Sequence, residues 1–201
     1  VVLNAPEYRV VDEPKPLRAE LGIDPDVPIL LYQGSIQENR GIEPGIEATL
    51  LLDEGVFVVV GYGHHRPVLE RMVAERGIGD RVKFFGPIPN EELLDWTAAA
   101  DIGMANIVNS SVSYHTSLPN KLFEYLMAGV AVIGCTGPAI RAVVEETGAG
   151  IAVPADDAEA IADAARTILA DLDRYRTAAL EGAKTRHWGV EEAKLLALYD
   201  E

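Results

Sequence analysis

The sequence has little of three things: cysteine, basic charge and long apolar runs. Cys135 has no cysteine partner, and its place at the end of an apolar run favours a buried structural thiol in a reducing cytoplasm over a reactive one. No apolar run approaches the roughly 20 residues that a helix needs to cross a bilayer. The 17 basic and 32 acidic residues give a net charge of -15, which argues against nonspecific binding to nucleic acid or anionic lipid. Any phosphate that the chain binds must therefore be held by a local arrangement of groups.

The hydrophobic pattern predicts an α/β fold. Of the 201 residues, 48% are hydrophobic and 24% are charged, the composition of a soluble globular protein. Short apolar runs alternate with longer amphipathic ones, which is typical of βα units. We expect a Rossmann-like open parallel sheet of about six strands with helices on both faces. The predicted strands span 29–33, 57–60, 82–85, 102–104, 131–133 and 151–153, and the predicted helices span 43–52, 66–76, 90–99, 120–127, 139–145 and 158–169, with further helix continuing over 171–201.

Glycines mark one edge of the predicted sheet. Four strands end at or just before Gly34, Gly61, Gly86 and Gly134, and open α/β sheets bind ligands beyond the carboxyl ends of their strands. The loop after the first strand also carries Arg40, so that backbone and a cation can approach an anion together.

The turn after the second strand reads Gly-Tyr-Gly-His-His over residues 61–65. Gly-x-Gly is weak evidence for a dinucleotide site here, because Arg66 replaces the third glycine and the turn follows the second strand rather than the first. His64 and His65 are adjacent in the chain and have no cysteine or carboxylate at ligand spacing nearby, so we expect no metal site.

The segment 116–134 carries the strongest functional signal. It reads as a polar loop, a short helix that begins near Pro119, a glycine stop and a buried strand. Free backbone N–H groups at the helix start can converge with Lys121 on an anion, while Glu124 lies about one turn deeper. Taken singly, Lys121 and Glu124 would be ordinary residues of a helix surface. Together, at this spacing and after this strand order, they favour a nucleotide-sugar pocket.

These segments resemble the donor-binding domain of family-4 retaining glycosyltransferases of the GT-B fold, and the resemblance covers almost the whole chain. Residues 33–41, 81–101 and 116–134 carry it. It implies that residues 1–27 are a linker from a missing N-terminal domain and that residues 28–186 form the nucleotide-sugar donor-binding domain. Residues 187–201 would be a C-terminal helix that packs back toward the missing domain. A start without Met, followed by Pro6, Pro14 and Pro16, fits the expectation that the chain is a fragment.

The resemblance also implies a role for each candidate residue. Arg40 and Lys121 would contact the donor diphosphate and Glu124 the ribose hydroxyls, so these three are the catalytic candidates. The nucleotide-sugar-binding candidates are Gly34, Ser35, Gly61, Gly86, Ile88, His115, Thr116, Ser117, Leu118, Pro119 and Asn120. Two positions depart from the family pattern, since Ser35 stands where an Arg is expected and Thr116 where a second Glu is expected. The loss of a cation at Ser35 would change either the affinity for the diphosphate or the identity of the donor.

The expected function is transfer of a sugar from a nucleoside diphosphate sugar to an acceptor, with retention of anomeric configuration. No cofactor or metal is expected, because cationic side chains and a helix N-terminus would stabilise the departing diphosphate. The missing domain would bind the acceptor, so the isolated domain is expected to be inactive. We expect no contact with nucleic acid, and contact with the inner membrane face only through the missing domain.

Three other functions stay open at this point. A non-catalytic nucleotide-sugar-binding module would fit the departures at Ser35 and Thr116. A nucleotide-sugar epimerase of the same fold would consume the donor without any acceptor. A dinucleotide-dependent oxidoreductase is the least favoured, because the Gly-x-Gly turn is incomplete.

Overall fold

The computed structural model describes residues 2–108 and 117–199. Within these ranges the chain forms six strands, namely β1 (Ile29–Gln33), β2 (Val56–Val60), β3 (Val82–Phe85), β4 (Ile102–Ala105), β5 (Ala131–Cys135) and β6 (Gly150–Val153). The helices of the same ranges are α1 (Leu17–Leu21), α2 (Ile42–Leu50), α3 (Arg66–Arg76), α4 (Asn90–Thr97), α5 (Asn120–Met127), α6 (Pro138–Thr147), α7 (Ala158–Leu169), α8 (Leu172–Ala183) and α9 (Trp188–Ala197).

All six strands belong to one parallel sheet in the order β3-β2-β1-β4-β5-β6. The chain winds outward from β1 to β3 in one direction and from β4 to β6 in the other, so the winding reverses between β1 and β4. In open α/β sheets, ligands bind beyond the carboxyl ends of the strands at such a reversal. The fold therefore directs attention to the ends of β1 and β4.

The sheet is apolar on both faces, which explains why its strands read as continuous apolar runs. Every residue of β1, β2, β4 and β5 is buried. Because side chains alternate along a strand, Ile29 and Leu31 pack into the core on one face while Leu30 and Tyr32 pack into the core on the other. Helices α4, α5 and α6 contribute to the first core, and α2, α3 and α7 to the second. The α/β fold class is thus as the sequence predicted.

The predicted elements are present, with ends that differ by at most two residues. The helix expected over 171–201 is present as two helices, because α8 ends at Ala183 and α9 begins at Trp188, one residue from the start of the C-terminal helix expected over 187–201. The break lets the Trp188 N–H donate to the Pro6 carbonyl at 2.8 Å, and Glu191 accepts from the Leu3 N–H at 2.8 Å. The N-terminal segment is therefore held against the start of α9, and it also contains the short helix α1.

No helix within the described ranges combines the length and the apolar character that crossing a membrane requires.

Candidate functional site

The candidate residues gather where the winding of the sheet reverses. Arg40 lies in the loop after β1, and Lys121 and Glu124 lie on α5, which precedes β5. Helix α5 begins directly after Pro119, whose extended backbone forms the N-cap. Helix α5 and the loop after β1 are far apart in sequence, and the pairing of β4 with both β1 and β5 brings them to one edge of the sheet.

Lys121 is the unusual cation of this edge. The residue is only 9% exposed, and its Nζ lies 3.6 Å from the centroid of the Tyr32 ring. Among residues 2–108 and 117–199, Nζ has no hydrogen-bond partner. Burial, with a smaller contribution from the charge of Arg40, lowers the pKa of Lys121 to about 7, and the Glu124 carboxylate opposes this shift. An ammonium in this position gains strongly from an anion that reaches it.

Glu124 is half-buried, and a hydrogen bond from a neighbouring side chain orients its carboxylate. Oε2 accepts a hydrogen bond from Nε2 of Gln33 at 2.6 Å. Burial raises the pKa of the Glu124 carboxyl, while the Gln33 hydrogen bond and the charge of Lys121 act in the opposite direction. Glu124 also lines a cavity of about 500 Å³ between the N-terminal segment, α4 and α5. The carboxylate is therefore oriented by the protein and open to a cavity.

Tyr32 supports two parts of the site at once. Its ring faces the Lys121 ammonium, and its O–H donates to the Ser35 carbonyl at 2.7 Å. Burial raises the pKa of the Tyr32 phenol above its ordinary value, so the phenol is neutral at physiological pH. The loop after β1, which lacks the arginine expected at Ser35, is thus fixed through a backbone contact rather than through its side chain.

Gly41 allows the tight backbone turn that positions the preceding residue, Arg40. Gly41 has a φ of 72°, and a Cβ there would lie 2.8 Å from Cβ of Asn106, in the segment after β4. The Asn39 carbonyl accepts from the Val108 N–H at 3.0 Å, which ties the same turn to the same segment. The charge of Arg40 acts to lower the pKa values of both Tyr32 and Lys121, so the two cations lie within electrostatic reach of each other.

The Gly-x-Gly turn after β2 packs backbone against backbone. A Cβ at Gly61 would lie 2.0 Å from the Gly34 carbonyl oxygen, and a Cβ at Gly63 would lie 2.0 Å from that of Ile36. The turn therefore needs glycine so that it can lie directly against the loop after β1. Arg66, at the start of α3, donates to the carbonyls of Gly61 at 3.3 Å and Phe85 at 3.1 Å, joining the ends of β2 and β3.

The loops after β1, β2 and β3 enclose a second cavity, of about 250 Å³. Four of the predicted binding residues, Gly34, Ser35, Gly61 and Ile88, line it together with Val60, Tyr62, Pro87 and Leu93. Gly86 lies one residue after β3 but does not line this cavity. Ser117, Leu118 and Pro119 are half-buried just before α5, and Asn120 is exposed. His115 and Thr116 lie outside the described residues.

Sequence reasoning assigned no role to Tyr32, Gln33 or Thr97, although each contacts the site. Gln33 offered a signal, because it is a polar residue at the end of an otherwise apolar strand and is 1% exposed. His65 has a carboxylate neighbour that lies far from it in sequence, since its Nε2 lies 2.5 Å from Oε1 of Glu43. Within the described part of the chain, no three His, Cys, Asp or Glu side chains are grouped closely enough to hold a metal ion.

Comparisons with known proteins give a consistent result. The chain matches the family model described as glycosyl transferases group 1 over residues 27–171. It is 32% identical over 183 residues to a D-inositol 3-phosphate glycosyltransferase of Xylanimonas cellulosilytica, an alignment that covers 88% of this chain and 42% of that protein.

The solved structures agree with this match. Sucrose-phosphate synthase from Thermosynechococcus elongatus has a TM-score of 0.80 at 28% identity, covering 97% of this chain and 51% of that one. Anabaena HepE in complex with UDP-glucose has a TM-score of 0.80 at 17% identity, covering 100% of this chain and 57% of that one, a likeness of fold alone. The chain thus spans about half the length of these relatives.

Proposed function

Because the chain belongs to the glycosyl transferases group 1 family, as the sequence predicted, we propose that it is the donor-binding part of a glycosyltransferase that uses a nucleoside diphosphate sugar. The donor would lie across the carboxyl ends of β1 and β4. Structural neighbours such as Anabaena HepE, solved with UDP-glucose, support a donor of this class.

One observation carries the proposal: the buried ammonium of Lys121, which has no hydrogen-bond partner among the described residues. An uncompensated buried charge is costly, and proteins keep one where a ligand of opposite charge will compensate it. A diphosphate would supply the missing acceptors. Arg40 lies within electrostatic reach and would add a second cation on the same rim.

In the proposed reaction, the bond between C1 of the sugar and the β-phosphate oxygen breaks, and its electron pair moves to that oxygen. The hydroxyl oxygen of the acceptor forms the new bond to C1, and its proton passes to the departing phosphate. Lys121 and Arg40 would stabilise the negative charge that develops there. The backbone N–H groups at the start of α5 would add the positive end of the helix dipole. These groups supply the charge stabilisation without a metal ion.

Glu124 would hold the ribose. Its carboxylate has two acceptor oxygens, of which Oε2 receives the Gln33 amide. The remaining lone pairs would accept hydrogen bonds from the ribose hydroxyls. The cavity of about 250 Å³ lined by Ile88 would hold the base or a neighbouring part of the donor.

Retention of configuration and binding of the acceptor by a further domain are parts of the proposal that rest on the family resemblance. The alignment with the D-inositol 3-phosphate glycosyltransferase covers 42% of that protein, and the acceptor-binding domain of the proposal would correspond to the part outside the alignment. We expect the isolated chain to bind donor without transferring sugar. NMR of the anomeric proton in the product of the whole protein would test retention.

Calorimetry of this chain with UDP, GDP, ADP and pyrophosphate tests the site. Losing a charge-assisted hydrogen bond costs about 1.5–3 kcal/mol, so Arg40→Ala and Lys121→Ala should each weaken nucleoside diphosphate binding about 10- to 150-fold. Glu124→Ala should weaken nucleoside diphosphates but not pyrophosphate. Lys184→Ala, which removes an exposed lysine directly after α8, is the matched control and should bind like the parent. If all three site variants also bind like the parent, the proposal is wrong.

A further inference from the structure

We propose that Gln33 and Thr97 are positioning residues that hold Glu124 as an ionised acceptor for the ribose hydroxyls. The inference rests on the proposed function and adds to it how the ribose contact is oriented.

A continuous hydrogen-bond network beneath the site joins the side chains of Thr97, Gln33 and Glu124. Nε2 of Gln33 donates to Oε2 of Glu124 at 2.6 Å, and Oγ1 of Thr97 donates to Oε1 of Gln33 at 2.7 Å. Gln33 and Thr97 are each 1% exposed, so water does not compete for these bonds. This hydrogen-bond network joins the end of β1 to α4 on one side and to α5 on the other.

The single proton of the Thr97 hydroxyl couples the directions of the hydrogen bonds in this network. Oγ1 of Thr97 lies 2.7 Å from Oε1 of Gln33 and also 2.7 Å from the carbonyl oxygen of Leu93, but a hydroxyl has only one proton to donate. When it donates to Gln33, the amide must present its NH₂ to Glu124, and an ionised carboxylate accepts that bond.

The reverse arrangement requires a different charge on Glu124. If the Thr97 hydroxyl donates to Leu93 instead, the Gln33 amide satisfies Thr97 only by turning its NH₂ toward it. The amide oxygen then faces Glu124, which must carry a proton to make a hydrogen bond. The orientation of one buried amide is thus coupled to whether Glu124 can accept from ribose.

Two neighbouring groups counteract the effect of burial on the Glu124 carboxyl. Burial raises the pKa of Glu124, and the two groups that lower it are the Gln33 amide and Lys121. The other titratable groups around the carboxylate are Tyr125, whose pKa is raised mainly by burial, and Glu7, Arg9 and Glu91, which line the same cavity as Glu124. Removing the Gln33 amide therefore removes both the orientation and part of the stabilisation of the carboxylate.

The test compares ADP, GDP and UDP with their 2′,3′-dideoxy analogues. The ratio of their dissociation constants measures the ribose contact alone, because both members of a pair carry the same base and diphosphate. In the parent this ratio should be about 10 or more, and Gln33→Leu should bring it close to 1. Thr97→Val should reduce the ratio, while Thr97→Ser, which keeps the hydroxyl, should preserve it.

Gln33→Glu gives a readout that loss of packing alone would not give. At pH 8 two facing carboxylates repel each other, so the ribose preference should be lost. At pH 5.5 they can share a proton, the introduced carboxyl donates to Glu124 as the amide did, and the preference should return to within about threefold of the parent. Melting temperatures at both pH values confirm that each variant is folded.

The outcomes separate this inference from the proposed function. If the parent shows no ribose preference, or does not bind nucleoside diphosphates, the proposed function fails. If the parent shows the preference and Gln33→Glu does not recover it at pH 5.5, or Thr97→Val keeps it in full, the positioning role is wrong while the proposed function stands.

Discussion

Replacing Lys121 by methionine should stabilise the ligand-free protein and at the same time weaken its binding of diphosphate. The residue is 9% exposed, and burial is the main reason that its pKa is about 7 rather than 10.5. Methionine has a similar length and no charge, so it keeps the apolar contacts of the lysine stem and removes the desolvated ammonium. Stability and binding should therefore change in opposite directions.

The sign and size of the effect follow from proton linkage. Between pH 7 and 10.5 the unfolded chain holds a proton at Lys121 that the folded protein has lost, so the free energy of unfolding of the parent rises with pH. The gap between the two pKa values corresponds to about 5 kcal/mol of destabilisation below pH 7, and this cost disappears above pH 10.5. The advantage of Lys121→Met over the parent should shrink by about 2.5 kcal/mol between pH 7.5 and pH 9.5.

Urea unfolding of both proteins at the two pH values measures this difference. Lys184→Met serves as the control, because Lys184 is exposed directly after α8, beside Glu181, and should give no comparable gain at either pH. The difference in free energy of unfolding between Lys121→Met and the parent should change between pH 7.5 and 9.5. A change of less than about 0.5 kcal/mol would refute the claim that the Lys121 ammonium is desolvated in the folded protein.

The same pKa predicts that ligand binding takes up a proton. At pH 8 the free protein has lost most of the protons from Lys121, and a diphosphate beside the amine raises its pKa again, so binding should take up about one proton. Calorimetry in buffers of different ionisation enthalpy measures the uptake. Lys121→Arg, whose guanidinium stays charged, should bind without uptake.

Two further substitutions test the packing that positions the site. Gly63→Ala would bring a Cβ within 2.0 Å of the Ile36 carbonyl oxygen, so we expect a loss of about 1–3 kcal/mol in urea unfolding and weaker nucleotide binding; Gly79→Ala, where the added Cβ meets open space, should have little effect on either, and equal losses in both variants would contradict the argument. Asp101, directly before β4, accepts hydrogen bonds from Arg18, Arg176 and the Ile29 N–H. Asp101→Ala removes this acceptor, which should cost about 2–3 kcal/mol because the two arginines are partly exposed. Its dissociation constant for nucleotides should stay unchanged, and a loss of affinity in the folded variant would show that Asp101 acts beyond stability.

Much of the fold could be predicted from the sequence because each signal was local. A run such as Ile29–Gln33 is apolar throughout and ends at a glycine, and these features of neighbouring residues identify a buried strand. The boundaries of α3 and α5 could be predicted for the same reason. The contacts of α9 with the N-terminal segment could not, because they join parts of the chain that are distant in sequence.

The candidate site divides in the same way. Lys121 and Glu124 could be chosen from the sequence, since their spacing on one helix and their place after a polar loop are properties of a short segment. Their charge state could not, because it depends on the Tyr32 ring, the Gln33 amide and the charge of Arg40, which the pairing of β1 with β4 brings next to α5. The Gly-x-Gly turn resembles a phosphate loop in sequence, and its close packing against the loop after β1 became visible only in the fold.

The sequence by itself thus determined the α/β class, most element boundaries and the family, since these follow from patterns within short segments. The tertiary structure alone decided which side chains share a low-dielectric environment. Burial and Coulombic interaction depend on distance in space rather than along the chain, so only the assembled sheet could bring Lys121, Glu124 and Gln33 together.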